Sequence, residues 1–386
     1  MSADLPATAD FVVVGGGIAG ASVAYELAAH GRVVVLERET LAGYHSTGRS
    51  AALLTENYGN AVIRRLTMES RSFFEQVPER FGSPPPLSPR GVLFVAREDQ
   101  RAKAEVLLPE SQALVPSIHA LDAKGARRLC PVLRPDYVSM AICEPDAMDL
   151  DVAAIHQGYI AGLRRRGGML LTDAEVMDLQ HEAGNWVACC RQGKLETPIL
   201  VNAAGAWCDQ VGALAGAEPI GLVPRRRTAF TFAPPPGPAI DGWPIVIDID
   251  EQFYFKPESG RVLASPADET AVPPQDVQPE EIDIAVAVDR LQRATVMEVP
   301  RILNRWAGLR TFAPDRTPVV GPDSRRAGLF WLAGQGGYGI MTAPAMAQAA
   351  ASLICQGRLP ASQVGIGLTA AALSPARLQR RGQRDA

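Results

Sequence analysis

The sequence predicts an α/β protein in which a doubly wound, parallel-stranded unit is interleaved with an α+β unit built on a mixed or antiparallel sheet. Three observations carry that expectation. An apolar run, Phe11–Val14, ends in glycines and leads into a helix-forming stretch, residues 18–29, and a second apolar run at residues 32–36, which together make a β-α-β unit. Buried-strand patterns recur far along the chain, at residues 198–202 and 329–333. The first runs into Ala203-Ala204-Gly205, the second into glycines and a helix expected over 342–354. Between them lie strand-like segments at residues 91–96, 244–249 and 252–256, set off by proline-rich breaks at 84–89 and 234–238. A further helix is expected over 151–166.

The chain has 386 residues, a length that suits two domains. The interleaving divides it into 1–84, 147–221 and 320–386 for the first unit, and 85–146 and 222–319 for the second. A net charge of -4 speaks against a nucleic-acid partner. Arg377, Arg380, Arg381 and Arg384 form a basic tail, expected to be solvated and frayed. The six cysteines contain no C-x-x-C pair, so they signal neither a metal site nor a dithiol pair, and they read as reduced, small apolar residues. The N-terminus has no basic leader, and its apolar stretch is broken by glycines. Neither a signal peptide nor a membrane span is expected, and a cytoplasmic location follows.

Gly15-x-Gly17-x-x-Gly20 lies between the first strand and the first helix. Gly15 permits the sharp turn, Gly17 lets the backbone approach a pyrophosphate, and Gly20 lets helix and strand pack closely. The helix start at Ile18 and Ala19 offers free N–H groups to phosphate. Glu37 closes the second strand, where a carboxylate accepts hydrogen bonds from both ribose hydroxyls and repels a 2′-phosphate, so FAD or NAD fits and NADP does not. Two further stretches favour FAD. His45, Ser46, Thr47, Arg49, Ser50 and Ala51 can lie along a ribityl chain and under a flat ring. Gly334, Gly336, Gly337, Tyr338, Gly339 and Ile340 form a second glycine-rich helix start, suited to the far end of a long cofactor.

With these motifs in view, the chain resembles the FAD-dependent D-amino acid oxidase superfamily, and within it bacterial D-arginine dehydrogenases. The resemblance rests on residues 30–39 and 43–52, on LVNAAGAWCD at 200–209, FAPPPG at 232–237, WAGLR at 306–310 and QGGYGI at 335–340. It implies a glutathione-reductase-like FAD domain joined to a substrate domain. It also assigns Arg38, Val176, Ala204, Gly205, Trp207 and Gly308 to the cofactor. By the same resemblance Arg227 and Arg310 clamp a substrate carboxylate, Tyr254 donates to it, the Gly337 carbonyl accepts from the substrate amine, and Tyr58 rides on a loop over the site. A guanidinium makes two parallel bonds to a carboxylate, which fixes orientation as well as charge. Relatives with covalent flavin attach it through a cysteine in a stretch matching 307–317. This stretch has none, so non-covalent FAD is expected.

The chain departs from the family pattern at the side-chain pocket. Val92 stands where arginine dehydrogenases carry a glutamate, and Leu53 where they carry a histidine, while Ile245 and Ile247 are expected to face the pocket. Losing the carboxylate removes a charged partner, about 1.5–3 kcal/mol per hydrogen bond to a charged group. An apolar or aromatic side chain is therefore expected. Glu56, on the loop of Tyr58, is either a substitute acid or a solvent-facing loop charge. Losing the histidine removes the base an alcohol needs, which favours amine over 2-hydroxy acid oxidation. His119, His156 and His181 are expected to lie away from the pocket. The implied reaction is oxidation of a D-amino acid by hydride transfer to flavin N5. The imino acid hydrolyses to a 2-oxo acid and ammonia, and oxygen or a quinone-type carrier takes the electrons. A secondary-amine (glycine/sarcosine-type) or 2-hydroxy acid oxidoreductase, or a flavin-binding redox sensor without turnover, are the rival readings.

Overall fold

The structure, a computed structural model, describes residues 5–76, 86–237 and 239–379. Residues 84 and 85, Pro238, Arg380, Arg381 and Arg384, on which parts of the domain division, the proline breaks and the basic tail were placed, lie outside these ranges. Two large sheets organise the rest. In the six-stranded sheet the order across the strands is 319–322, 329–333, 199–202, 11–14, 33–36, 169–171. All neighbours run parallel except the pair Val319–Pro322 and Leu329–Ala333. We call Phe11–Val14 β1, Ile18–Leu27 α1 and Val33–Leu36 β2.

The central strands are continuous Val/Leu runs because both faces are covered. Val13, Val33, Val35 and Val201 pack under α1 and the Gly339–Gln356 helix. Val12, Val14, Val34 and Leu200 point the other way, onto Leu179, Trp186 and Leu195 of a three-stranded antiparallel sheet. One face of the doubly wound unit is thus covered by helices and the other by a small sheet.

The ten-stranded sheet is mixed. Its order is 335–336, 302–312, 223–232, 261–265, 254–258, 245–248, 92–96, 140–144, 119–122, with Thr270–Ala271 alongside Val223–Phe232. Only Ile245–Asp248 and Val92–Ala96 pair in parallel. Its apolar face, including Phe230, Phe232, Phe253 and Phe255, packs on Ile284, Ala287 and Leu291 of the Glu281–Ala294 helix.

The two sheets are stitched together around one space. Gln335–Gly336, directly after the Leu329–Ala333 strand, pairs with Thr311 and Phe312 of the other sheet. The Ser46 hydroxyl donates to the Leu309 carbonyl (2.6 Å). Arg49 donates to the carbonyls of Val277 (3.1 Å) and Ala307 (3.0 Å), and the Trp306 indole donates back to the Arg49 carbonyl (3.1 Å).

Most expected elements form within one or two residues of the expected limits. The last glycine-rich stretch departs further, because its helix starts at Gly339 rather than 342. Arg377 is a correction, since it is not a frayed tail residue. Its guanidinium binds Asp315 (2.9 Å) and the carbonyls of Leu373, Ser374, Thr317 and Pro318. All six cysteines are free, and four of them are buried. Among the described residues no helix is long and apolar enough to cross a membrane.

Candidate active site

A cavity of about 670 Å³ runs between the two sheets, from β2 to the Ile302–Phe312 strand. Its nucleotide end is made mostly of backbone. Gly15 takes φ 106°, and a Cβ there would meet the Ala203 carbonyl oxygen at 2.6 Å. A Cβ on Gly20 would lie 1.8 Å from the Gly15 oxygen, which is why strand and helix can approach only through glycine. Neither α1 nor the Gly339–Gln356 helix has a side-chain N-cap. Gly17, Ile18 and Ala19 line the cavity from one helix start, and Gly339, Ile340 and Met341 from the other. Thr47 takes the Ile18 N–H of α1, and the other first-turn N–H groups of the two helices have no intrahelical acceptor. Two helix starts on a single cavity suit a ligand that is anionic in one part and electron-rich in another.

Side chains fix this backbone. Glu37, 7% exposed, accepts from the N–H groups of Gly16 (2.6 Å) and Glu39 (2.9 Å), and it lines the cavity. The Thr47 hydroxyl accepts from Ile18 N–H (3.0 Å). His156 does not line the cavity but holds its glycine turn. Its Nε2 lies 2.8 Å from the Gly16 oxygen, and because a carbonyl only accepts, that nitrogen carries the proton. Burial lowers the His156 pKa, with the Gly16 bond opposing. Arg38 lies over the Trp207 ring (5.0 Å), and His45 also packs on that indole (4.6 Å) while bonding Glu39 (2.9 Å). Ser46, Arg49, Ser50, Ala51, Val176, Ala204, Gly205, Gly308, Gly334, Gly336 and Gly337 also line the space. Arg49 contributes mainly as a tie, its guanidinium being committed to two carbonyls and Asp276. No cysteine lines the cavity.

At the other end the ten-stranded sheet brings together Arg227, Tyr254, Arg310, Ile245 and Ile247, and the segment after β2 adds Leu53 and Tyr58. The two arginines differ. Arg227 is buried and already engaged, donating to the Asp268 carbonyl (2.8 Å) and to Glu269 (3.3 Å), which Arg316 also holds. Arg310 has no carboxylate within 4.0 Å among the described residues. Its guanidinium lies over Gly337, where a Cβ would meet it at 2.7 Å, and beside the phenols of Tyr58 and Tyr254. Burial raises the Tyr58 pKa well above the ordinary phenol value, so the O–H remains a donor, and it donates to Glu251 (3.0 Å).

Three sequence assignments are corrected. Val92 is fully buried and does not line the cavity. It pairs with Ile245, one strand further out, and packs with Phe94 and Ile142. Glu56 neither lines the cavity nor faces solvent freely, because Arg71 binds its carboxylate (2.7 Å) and its N–H donates to the buried Glu144 (3.0 Å). Tyr338 is the N-cap residue of the last long helix, but it packs against Tyr58 (5.1 Å) and lines a neighbouring space rather than the cofactor cavity. Glu251 was missed. It lies in the turn between two strands expected at the pocket, and residues joining such strands sit at its mouth.

A long cavity with a glycine turn and a helix start at one end, a buried carboxylate on its edge, a second helix start and a cationic far end suits a dinucleotide. The chain belongs to the DAO family, described as FAD dependent oxidoreductase, which it matches over residues 10–353, and its cofactor is FAD. Mitochondrial dimethylglycine dehydrogenase of Rattus norvegicus is 24% identical over 91% of this chain and 43% of its own length. The chain therefore spans less than half of that relative. FAD-dependent oxidoreductase domain-containing protein 1 of Bos taurus is 24% identical over 91% of this chain and 82% of its own. In fold, L-proline dehydrogenase from P. horikoshii is similar with a TM-score of 0.84 at 24% identity, covering 98% of this chain and 99% of that one.

Proposed function

We propose that the protein oxidises the C–N bond of a small amino carboxylate, a D-amino acid with an apolar side chain above all, to an imino acid that hydrolyses to a 2-oxo acid and ammonia. One observation carries the reading: Arg310, a guanidinium without a carboxylate partner, inside the cavity and flanked by tyrosine hydroxyls. A cation held this way is stabilised by an anion from outside, and the planar fork favours a carboxylate.

Bound FAD supplies the acceptor for the two electrons and hydrogen that leave the substrate carbon. The protein's own groups do the positioning. Arg310 and Arg227 hold the carboxylate and Tyr254 donates to it. The Gly337 carbonyl accepts from the amine, which orients the nitrogen lone pair. Leu53, Ile245 and Ile247 enclose the side chain in an apolar wall and exclude water. A guanidinium side chain pressed on that wall loses its hydration, at a cost of several kcal/mol, and Glu251, a carboxylate that also lines the cavity, already accepts from Tyr58. This wall is what separates the reading from a D-arginine dehydrogenase.

The test is anaerobic bleaching of the bound flavin by both enantiomers of the common amino acids. Without oxygen the assay does not depend on whether oxygen or a quinone-type carrier is the final acceptor. Rapid bleaching by D-leucine or D-phenylalanine, with D-arginine slower, is expected. A clear preference for D-arginine removes the apolar-pocket reading. A second reading, a secondary amine of the glycine or sarcosine type, is supported by relatives and structural neighbours named for dimethylglycine, sarcosine, glycine and proline. Sarcosine, dimethylglycine and proline belong in the same screen, and bleaching by these alone selects it.

A further inference from the structure

Beyond the cofactor cavity lies a second space of about 430 Å³, which shares only the side chains of Tyr58 and Glu251 with the first. Tyr58 and Glu251, hydrogen-bonded to each other, form part of the wall between the two. The outer space has apolar sides, from Phe94, Leu107 and Ile249, and a strongly cationic lining, from Arg64, Lys103 and Arg316. Two of these cations are neutralised, Lys103 by Asp250 (2.6 Å) and Arg316 by Glu269 (2.8 Å). Arg64 is not. Its Nε donates to the Gly59 carbonyl (2.9 Å), and no carboxylate pairs with its two terminal nitrogens among the described residues. Glu251 is held in left-handed backbone, φ 54°, a conformation L residues rarely adopt. Tyr58 occupies one of its carboxylate oxygens, Oε2, and leaves Oε1 available.

We infer that this outer space is a second binding site, for a zwitterionic amino acid with an apolar side chain, in which Arg64 takes the carboxylate and Glu251 the ammonium. The proposal rests on the function proposed above, because its ligand is the substrate class of the inner cavity. Charge complementarity selects that class. A simple anion satisfies Arg64 but faces Glu251, and a simple cation meets the reverse. A zwitterion satisfies both while its side chain contacts Phe94, Leu107 and Ile249. The departing 2-oxo acid lacks the ammonium, so the site favours what enters over what leaves. The inner cavity then receives substrate from a pre-filled outer site through the Tyr58–Glu251 partition.

The test is calorimetric titration of the FAD-loaded protein with 2-aminoisobutyrate, a zwitterion with no hydrogen on Cα and hence no possible oxidation at that carbon. Two equivalents per chain are expected. Arg64→Gln should leave one. Leu107→Trp, which fills the outer space without removing a charge, should also leave one, and it guards against Arg64→Gln acting through Gly59. Arg310→Ala should retain the outer equivalent. Isobutyrate, lacking the ammonium, should bind the outer site at least tenfold more weakly. A single equivalent in the unmodified protein that Arg310→Ala removes and Arg64→Gln spares overturns the outer site and leaves the proposed function standing. Two equivalents surviving in both Arg64→Gln and Leu107→Trp also overturn it. Equal outer-site affinity for isobutyrate overturns the role of Glu251, and no binding by any form overturns both proposals.

Discussion

The two ends of the long cavity are built from different materials. At the nucleotide end the contacts come from main chain: a turn that only glycine can make, a helix start whose N-cap residue offers no side-chain cap, and one carboxylate that fastens the loop. At the proposed substrate end the lining comes from side chains projecting off strands far apart in sequence, Arg227, Tyr254 and Arg310. A backbone site is set by local geometry and tolerates change in its neighbours. A side-chain site can be re-tuned one residue at a time, which lets one cofactor frame serve many substrates.

The largest effect that sharpens this contrast belongs to Arg310→Ala. Leaving the bound carboxylate without its partner should lower kcat/KM by about 3–5 kcal/mol, roughly a hundred- to several-thousand-fold, with flavin content unchanged. An unaltered kcat/KM in rapid-reaction measurements would falsify the assignment. Arg227→Ala should cost less, about 1.5–3 kcal/mol, the scale of a hydrogen bond to a charged group, because Glu269 already partners that arginine. If the two variants rank in the opposite order, the distinction between a free and an engaged guanidinium fails. Gly17→Ala tests the other end. A Cβ there meets only the Thr47 hydroxyl, at 3.3 Å, so the space it fills is the ligand's. Flavin should bind weaker by about 1–3 kcal/mol, the cost of overpacking, while the apo-protein melts at an unchanged temperature. A lowered apo Tm means the glycine serves the fold instead. Tyr58→Phe should remove about 0.5–1.5 kcal/mol of one hydrogen bond and shift KM more than kcat. The pH dependence comes last. Burial depresses the His156 pKa below its ordinary 6.5, so the unfolded chain takes up a proton that the folded chain refuses. The stability from neutral His156 is complete above that value and declines as pH falls from about 6.5 toward the lowered one. His156→Gln, which keeps a donor for Gly16, should flatten this part of the Tm–pH curve. Parallel curves for the two proteins would remove His156 as its source.

The same contrast explains what could be read from the sequence. β1 and the Leu329–Ala333 strand were legible to the residue because a strand buried on both faces is a bare apolar run. The glycine spacing was legible because the turn imposes it, and Glu37 because its carboxylate fastens that turn through the Gly16 N–H. Val92 was misplaced because alternation gives the face of a strand, not the strand at which a cavity stops. Val92 and Ile245 are register partners, yet only Ile245 reaches the space. Glu56 was misplaced because its partner, Arg71, comes from the following helix, a contact made by tertiary packing and invisible in the spacing. Glu251 carries no local signal beyond its position in a turn, and its importance appears only when Tyr58, from a distant segment, is brought against it.

The strand order has a consequence for how the molecule comes into being. β1 is hydrogen-bonded to β2 on one side and to Ile199–Asn202 on the other, and that strand in turn waits for Leu329–Ala333. As the polypeptide leaves the ribosome, the glycine turn emerges long before the helix that closes the opposite end of its cavity. The cavity is walled at both ends only once synthesis has passed residue 340, so completion of the space for the flavin and of the native strand order belong to the same event.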